Sequence, residues 1–174
     1  FFCLFSRGLF YGLGGGSCYA CAALENRPAT PMEITRTALV LYPATDMFRL
    51  VRDVPSYPRF LSWCVNAVVH EETAETQQAS LTVKVSGVTH TFTTRNRLEP
   101  GARLTMALVE GPFRTLSGEW LFQPLGEDGS KITLALSFDF SGKVLSTAFR
   151  RGFTHIADRL VSDFCRRADD VYQR

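Results

Sequence analysis

The chain has 174 residues, a length typical of one compact domain. Hydrophobic residues make up 45% and charged residues 21% of the composition, which excludes a disordered chain, a collagen and a coiled coil. The formal net charge of +2 excludes the strong overall positive charge that dominates nucleic-acid binding. The 14 Phe residues predict a large apolar interior or an apolar cavity.

The first 31 residues differ in character from the rest of the chain. They are apolar and glycine-rich, with the run Gly14-Gly15-Gly16. A membrane-spanning helix and a secretory signal are two alternative interpretations, but the glycines interrupt the apolar run and no basic start precedes it. We favour a third interpretation, in which Met32 is the biological start. The sequence therefore predicts a non-native or disordered extension over residues 1–31 and a single domain over residues 32–174.

Only two cysteines, Cys64 and Cys165, remain in the predicted domain. Their separation gives neither a disulfide framework nor the spacing of a metal site. We therefore expect a cytoplasmic protein, with attachment at the periphery of the inner membrane as an alternative.

The first third of the predicted domain alternates extended and helical patterns. Residues 34–42 are β-branched and apolar, which predicts a strand that Pro43 ends. The apolar residues that follow lie on one helical face, and Pro55 and Pro58 bracket a second, shorter helix. Two short helices are thus expected after the first strand.

Six further strands are predicted, because apolar residues alternate with polar ones between turn signals. Gly87, Gly101, the pair Gly111-Pro112 and Gly129 mark turns between them. The predicted strands cover residues 63–72, 75–85, 89–98, 104–108, 116–123 and 132–140.

The C-terminal segment changes to a period of three to four residues, which predicts a helix of more than twenty residues. Its apolar stripe comprises Leu145, Phe149, Phe153, Ile156, Leu160, Phe164, Ala168 and Val171. Its polar face comprises Arg150, Arg151, Asp158, Arg159, Asp163, Arg166, Arg167 and Asp170. Together the elements predict an α+β helix-grip fold of START or Bet v 1 type, in which a curved antiparallel sheet of about seven strands surrounds a long C-terminal helix.

Few residues point to catalysis or metal binding. A phosphate-binding loop, a nucleophile elbow and a His-Glu-x-x-His motif are absent from the sequence. His70, His90 and His155 are scattered, and neighbours on a strand face opposite sides, so His70 and Glu71 cannot chelate together without a bulge. Cys64 is interpreted as a buried apolar thiol. The sequence predicts no metal site and no catalytic residue.

Three arginine pairs could contact an anion, although a solvated or ion-paired surface explains each one too. The first pair lies on a predicted strand and would meet a phosphate or a carboxylate. The other two lie on the long helix and would meet RNA or an anionic membrane. The pairs are Arg95 with Arg97, Arg150 with Arg151, and Arg166 with Arg167.

Four sequence segments resemble the coenzyme Q-binding START-like family, whose bacterial branch includes the RatA-type ribosome association toxins. Residues 53–64, DVPSYPRFLSWC, resemble the family signature DV-x-x-YP-x-FLPWC, with Ser62 in place of a proline. FTTRN at 92–96, GPFRTLSGEWLF at 111–122 and RADDVY at 167–172 resemble three further family segments. The similarity runs in order from Met32 to Tyr172.

The resemblance implies a function in lipid binding. Family members bind ubiquinone or a similar prenylated lipid between sheet and helix and support respiratory electron transport. Bacterial members are also described as toxins that bind the large ribosomal subunit and block subunit association, which would imply an antitoxin partner. A third description is a polyketide cyclase or dehydrase. We predict a protein that is not an enzyme and has no cofactor apart from the bound lipid, because no acid or base lies on the predicted apolar faces.

These interpretations assign residues to three candidate sites. The predicted ligand-binding wall comprises Trp63, Phe92, Met106, Trp120, Phe138, Phe149 and Phe153. The predicted cavity mouth comprises Tyr57, Pro58, Phe60 and Leu61. The predicted contacts with a ribosome or a membrane are Arg150, Arg151, Arg166 and Arg167.

Overall fold

The computed structural model describes residues 31–141 and 146–172, and its elements follow the predicted order. The strands are β1 (Met32–Val40), β2 (Cys64–Glu72), β3 (Thr76–Val85), β4 (Val88–Glu99), β5 (Arg103–Glu110), β6 (Phe113–Leu125) and β7 (Gly129–Phe140). The helices are α1 (Ala44–Arg52), a 3-10 helix (Val54–Arg59) and α2 (Thr147–Tyr172). Residues 1–30 of the predicted extension, and Leu145 of the predicted stripe, lie outside the described residues.

The seven strands form one antiparallel sheet in the order β1-β7-β6-β5-β4-β3-β2. The first strand pairs with the last, so that Met32 lies opposite Phe138 and Val40 opposite Ser130. The strands β2 to β7 form a meander, because each is joined to the next by a short turn. The predicted helix-grip fold, with its curved sheet and two short helices after the first strand, is confirmed.

The curvature of the sheet has local causes. The register shifts twice in β2, between Cys64 and Asn66 and between Val69 and Glu71, and it shifts once each in β4 and β6. A bulge bends its strand and increases the local twist. The sheet therefore curls, with its concave face toward α2.

The turn between β3 and β4 shows how the sequence sets the hairpin geometry. Ser86 and Gly87 both have positive φ, 51° and 81°. A two-residue loop with this conformation is a type I′ turn, whose twist matches that of the adjoining strands. The predicted turn at Gly87 is confirmed.

The long helix begins and packs as an amphipathic helix should. The backbone N–H of Phe149 donates to Ser146 Oγ at 3.1 Å, which caps the first turn. Its buried apolar residues are Phe149, Phe153, Ala157, Val161, Phe164 and Ala168. Among the helices of the described segments, none is long and apolar enough to cross a membrane.

The predicted division of α2 into an apolar and a polar face is wrong at two positions. Val171, which was placed on the apolar stripe, lies in the last turn and is 43% exposed, whereas Asp163, which was placed on the polar face, is 7% exposed. Ile156 and Leu160 are half-buried, and both pack against the hydrophobic core as predicted. Asp163 tolerates burial because Arg166 pairs with it and Arg159 Nη2 lies 3.9 Å from its Oδ1.

Candidate functional site

An apolar cavity of about 90 Å³ lies between the concave face of the sheet and α2. Side chains from both short helices, five segments of the sheet and α2 form its wall. The lining residues are Val51, Val54, Tyr57, Trp63, Ala79, Leu81, Phe92, Thr94, Asn96, Leu104, Met106, Leu116, Trp120, Leu136, Phe153, Ile156, Ala157, Leu160 and Phe164. Nearly all of these side chains are aliphatic or aromatic, so the cavity favours an apolar occupant.

The size of the cavity limits what it can hold without rearrangement. The volume of about 90 Å³ is smaller than that of a cavity of about 150 Å³ that holds one benzene ring. A ligand with a substituted ring therefore requires side chains at the wall to move. The half-buried residues Met106, Ile156 and Leu160 are the mobile candidates, since methionine adapts its shape easily.

Five of the seven residues predicted to form the ligand-binding wall line the cavity: Trp63, Phe92, Met106, Trp120 and Phe153. Their contact with a ligand remains a prediction. Phe138 and Phe149 lie elsewhere, and both are fully buried.

The prediction that Phe138 and Phe149 form part of the cavity wall is wrong. Their ring centroids lie 5.2 Å and 6.2 Å from that of Phe153, and neither residue lines the cavity. They belong to a packed aromatic cluster formed by Phe92, Phe113, Phe138, Phe140, Phe149 and Phe153. Alternation identifies the inward face of a strand, but it does not tell where along that face the packing becomes loose.

Sequence reasoning missed the polar residues of the wall. Thr94 and Asn96 lie two and four residues after Phe92 on β4, and all three point to the concave face. Residues spaced by two along a strand lie on the same face, so the spacing of Thr94 and Asn96 from Phe92 could have identified them.

A second depression, of about 200 Å³, lies outside the cavity at the predicted mouth. Trp63 and Ile156 line both spaces, so these two side chains separate them. The remaining lining residues are Phe60, Ser62, His155, Arg159, Asp163 and Arg166. Apolar side chains thus separate the two spaces, and polar and charged side chains line the outer one. This arrangement suits an amphipathic ligand.

The four residues predicted at the mouth occupy different positions. Tyr57 lines the inner cavity, and Phe60 lines the outer depression. Leu61 is 1% exposed and belongs to the core, whereas Pro58 is half-buried and lines neither space. Only Phe60 thus lies where the prediction placed all four.

A chain of hydrogen bonds leads from α1 to the cavity wall. The Gln77 Nε2 amide donates to the backbone carbonyl of Arg52 at 3.1 Å. The Asn96 Nδ2 amide donates to Gln77 Oε1 at 3.2 Å, and the two residues lie opposite each other on β3 and β4. Asn96 Oδ1 and Trp63 Nε1 are buried and have no partner within the described residues. An unpaired buried polar atom costs about 1–3 kcal/mol, so a ligand that pairs with it gains affinity.

Within the described residues, the only ionisable side chain of the cavity wall is Tyr57. Its hydroxyl donates to the backbone carbonyl of Val51 at 2.5 Å. Burial raises the pKa of Tyr57 far above its usual value, with smaller contributions from Cys64 and Asp53. The hydroxyl is therefore protonated and already engaged, which makes it a poor general acid or base.

The other candidate catalytic residues lie apart from the cavity. His70 Nε2 lies 2.7 Å from Ser80 Oγ, and the His90 ring packs on Phe149 at 4.5 Å between centroids. Burial raises the pKa of the Cys64 thiol to about 11, which leaves it protonated and unreactive at neutral pH. The described segments hold no group of three His, Cys, Asp or Glu residues that could bind a metal ion.

The four arginines of α2 do not form one patch. Sixteen residues separate Arg150 from Arg166, which corresponds to about 24 Å along a helix. The Arg150 guanidinium lies 5.3 Å from the Phe140 ring, and the Arg167 guanidinium lies 5.3 Å from the Phe60 ring. Arg166 pairs with Asp163, and Arg151 is exposed. The arginine pair on β4, Arg95 and Arg97, is also exposed, and Arg95 Nη2 donates a hydrogen bond to Gln78 Oε1 at 3.0 Å.

Comparisons with known proteins agree with the fold. Residues 40–165 match the family described as polyketide cyclase / dehydrase and lipid transport. The ribosome association toxin RatA of Vibrio cholerae is 44% identical over 140 residues, which cover 80% of this chain and 97% of the relative. The mitochondrial coenzyme Q-binding protein COQ10 of Drosophila melanogaster is 27% identical over 134 residues, covering 75% of this chain and 55% of that protein.

A solved structure gives the same fold at low sequence similarity. The Zhui aromatase/cyclase from a Streptomyces species aligns with a TM-score of 0.71 and 19% identity, covering 80% of this chain and 94% of the other. This likeness concerns the fold alone. The resemblance found in the sequence is confirmed, and the chain belongs to the polyketide cyclase / dehydrase and lipid transport family, in the group that includes the RatA toxins.

Proposed function

We propose that the protein is a carrier that binds a prenylated quinone-type lipid, of which ubiquinone is the model, between the sheet and α2. The observation that carries this proposal is the apolar cavity whose wall holds two unpaired polar atoms. The name of the Drosophila relative, a coenzyme Q-binding protein, supports the same ligand class. A role in respiratory electron transport would follow from that ligand.

The chemistry of the wall suits such a ligand. Each CH₂ group moved from water into an apolar site contributes about 0.8 kcal/mol, so one five-carbon isoprene unit contributes up to about 4 kcal/mol. Displacement of Trp63 and Ile156 would join the inner cavity to the outer depression and give space for a ring and its tail. A conformational change of this size reduces the net affinity, which would make the binding reversible.

We infer a binding role without catalysis. A cyclase needs a general acid or base within hydrogen-bond distance of its substrate. The only ionisable group among the described lining residues, Tyr57, is held protonated and hydrogen-bonded to Val51. The cyclase interpretation would require a residue other than these.

Filling the cavity tests the proposal. Ala157 lies on α2, lines the cavity and is 1% exposed, so Ala157→Leu places an added isopropyl group inside it. Ala148→Leu is the matched control, since Ala148 is exposed on the same helix. Organic extracts of the purified full-length variants would be compared by mass spectrometry.

We expect a prenylated quinone in extracts of the unmodified protein and of Ala148→Leu, and at least a tenfold lower amount with Ala157→Leu. Thermal unfolding would check that both variants are folded. A folded Ala157→Leu variant that retains its lipid, or an unmodified protein without lipid, would refute the proposal.

Ribosome association is the second candidate, favoured by the 44% identity to a relative named as a ribosome association toxin. This activity would place the protein in the cytoplasm. Arg151 and Arg166 are exposed, at opposite ends of α2, and would be the contacts tested first. We expect Arg151→Glu combined with Arg166→Glu to weaken co-sedimentation with large ribosomal subunits. The sheet variant Arg95→Glu with Arg97→Glu carries the same charge change and should have no effect.

A further inference from the structure

The hydrogen-bond chain at the cavity wall has a fixed direction. A backbone carbonyl only accepts, so the Arg52 carbonyl requires the NH₂ end of Gln77 to face it. The oxygen end of Gln77 then faces Asn96 and requires the NH₂ end of that residue. Asn96 Oδ1 is left over, and it is an acceptor.

This leftover acceptor lies in a well-built site. Asn96 is 5% exposed, lines the cavity, and has Met106 as its cross-strand neighbour on β5. Trp63 also lines the cavity, and its Nε1 is a buried donor without a partner among the described residues. The cavity thus offers one acceptor and one donor to an occupant.

We propose that Asn96 makes the cavity selective for a ligand head that carries a hydroxyl group, so that it binds a hydroquinone or phenol in preference to the quinone or ether. The hydroxyl donates to Asn96 Oδ1, and the Trp63 N–H donates to a ligand oxygen. This inference rests on the proposed function, because it concerns the head group of the lipid in the same cavity.

The preference follows from the hydrogen-bonding groups of the two kinds of ligand head group, the hydroquinone or phenol and the quinone or ether. A hydroxyl group donates and accepts, whereas quinone carbonyl and ether oxygens only accept. A quinone at Asn96 would bring two acceptors together and leave both unpaired. Sites built around a buried hydrogen-bonding group discriminate strongly against analogues that lack the partner, because the group is then left unsatisfied.

Para-heptylphenol and its methyl ether test this preference without oxidation or reduction. Both carry the same ring and tail, and only the phenol has a donor. Isothermal titration calorimetry of the full chain should give a phenol affinity about tenfold or more above that of the ether, the effect of one buried hydrogen bond. In Asn96→Leu, whose side chain has nearly the same shape, the two affinities should differ by less than about threefold.

Gln77→Met is a second variant that tests the positioning of Asn96. It removes the group that orients Asn96, so the amide can rotate and present its NH₂ end to the ligand. The phenol preference should then fall while the overall affinity changes little. This readout would not move if Gln77 only stabilised the fold.

The outcomes separate the two proposals. Equal binding of phenol and ether by the unmodified protein would overturn the selectivity and leave the lipid-binding cavity intact. A preference that survives in Asn96→Leu would overturn the assignment to Asn96, and a preference that is unchanged in Gln77→Met would overturn the positioning role of Gln77. Binding of neither probe would overturn the lipid-binding function itself, together with the selectivity.

Discussion

The two ends of the space between the sheet and α2 are built differently, although the same sheet and helix enclose both. At one end, six Phe rings fill the space, with most centroids about 5 to 6 Å apart and largely edge to face. At the other end, a mixture of aliphatic, aromatic and polar side chains leaves a cavity of about 90 Å³ and two polar atoms without partners among the described residues. Phe92 and Phe153 border both ends. The packed end thus stabilises the fold, whereas the open end contributes less packing energy and leaves space for a ligand.

The largest effect is expected when the packed end is opened. Phe138 is fully buried and contacts three other rings, so Phe138→Ala should lower the free energy of unfolding by about 3–5 kcal/mol. Met106 is half-buried beside an existing cavity, and Met106→Ala should cost about 2 kcal/mol or less. Urea denaturation of both variants measures the difference. Equal costs would mean that the two ends are packed alike.

Close approach of the helix to the sheet at the packed end depends on Gly152. A Cβ atom built there would lie 2.1 Å from Val85 Cγ1, so Gly152→Ala should cost about 1–3 kcal/mol. Val85→Ala removes the opposing atom, and the double variant should therefore lose less stability than the sum of the single variants. Additive losses in denaturation would show that this contact does not limit the packing.

At the open end, added volume should be tolerated. Ala157→Leu should change the free energy of unfolding by less than about 1 kcal/mol, because the new methyl groups enter empty space. A loss of several kcal/mol, measured against Ala148→Leu, would mean that this end is as tightly packed as the aromatic end.

The last effect appears only at alkaline pH. Burial raises the pKa of Cys64 from 9.0 to about 11, so the folded state favours the neutral thiol. This contribution is fully present below pH 9 and is lost as the pH rises through 11. Between these values the unmodified protein should lose more stability than Cys64→Ala, as measured by urea denaturation. Parallel curves for the two proteins would show that Cys64 makes no contribution.

The fold was readable from the sequence because alternation along strands and the period of the helix are local patterns. The residues from Ile132 to Phe140 alternate without interruption, and every second one is buried. The stripe of α2 was predicted less well, since Asp163 is buried through its pairing with Arg166, which a hydropathy pattern does not record.

The site was predicted in part, for a different reason. Inward-facing apolar residues were identifiable, and five of the seven predicted wall residues line the cavity. The boundary between the packed cluster and the cavity depends on how several strands and α2 fit together. A local sequence pattern does not contain this information, so it assigned Phe138 and Phe149 to the cavity wall wrongly. Asn96 was overlooked because polar residues are not expected on a concave apolar face, and its role depends on Gln77 across the strand pair.

Methyl-resolved NMR gives the most direct test of the central claim, that the ligand occupies the open end. The chain has only three isoleucines and three methionines. Of these, Ile156 and Met106 line the cavity, whereas Ile34, Ile132, Met32 and Met47 do not. On addition of a short-chain ubiquinol, the account predicts large shifts of the Ile156 and Met106 methyl signals and little change in the other four. Shifts confined to Ile132 or Met47, or no saturable shift at all, would contradict it.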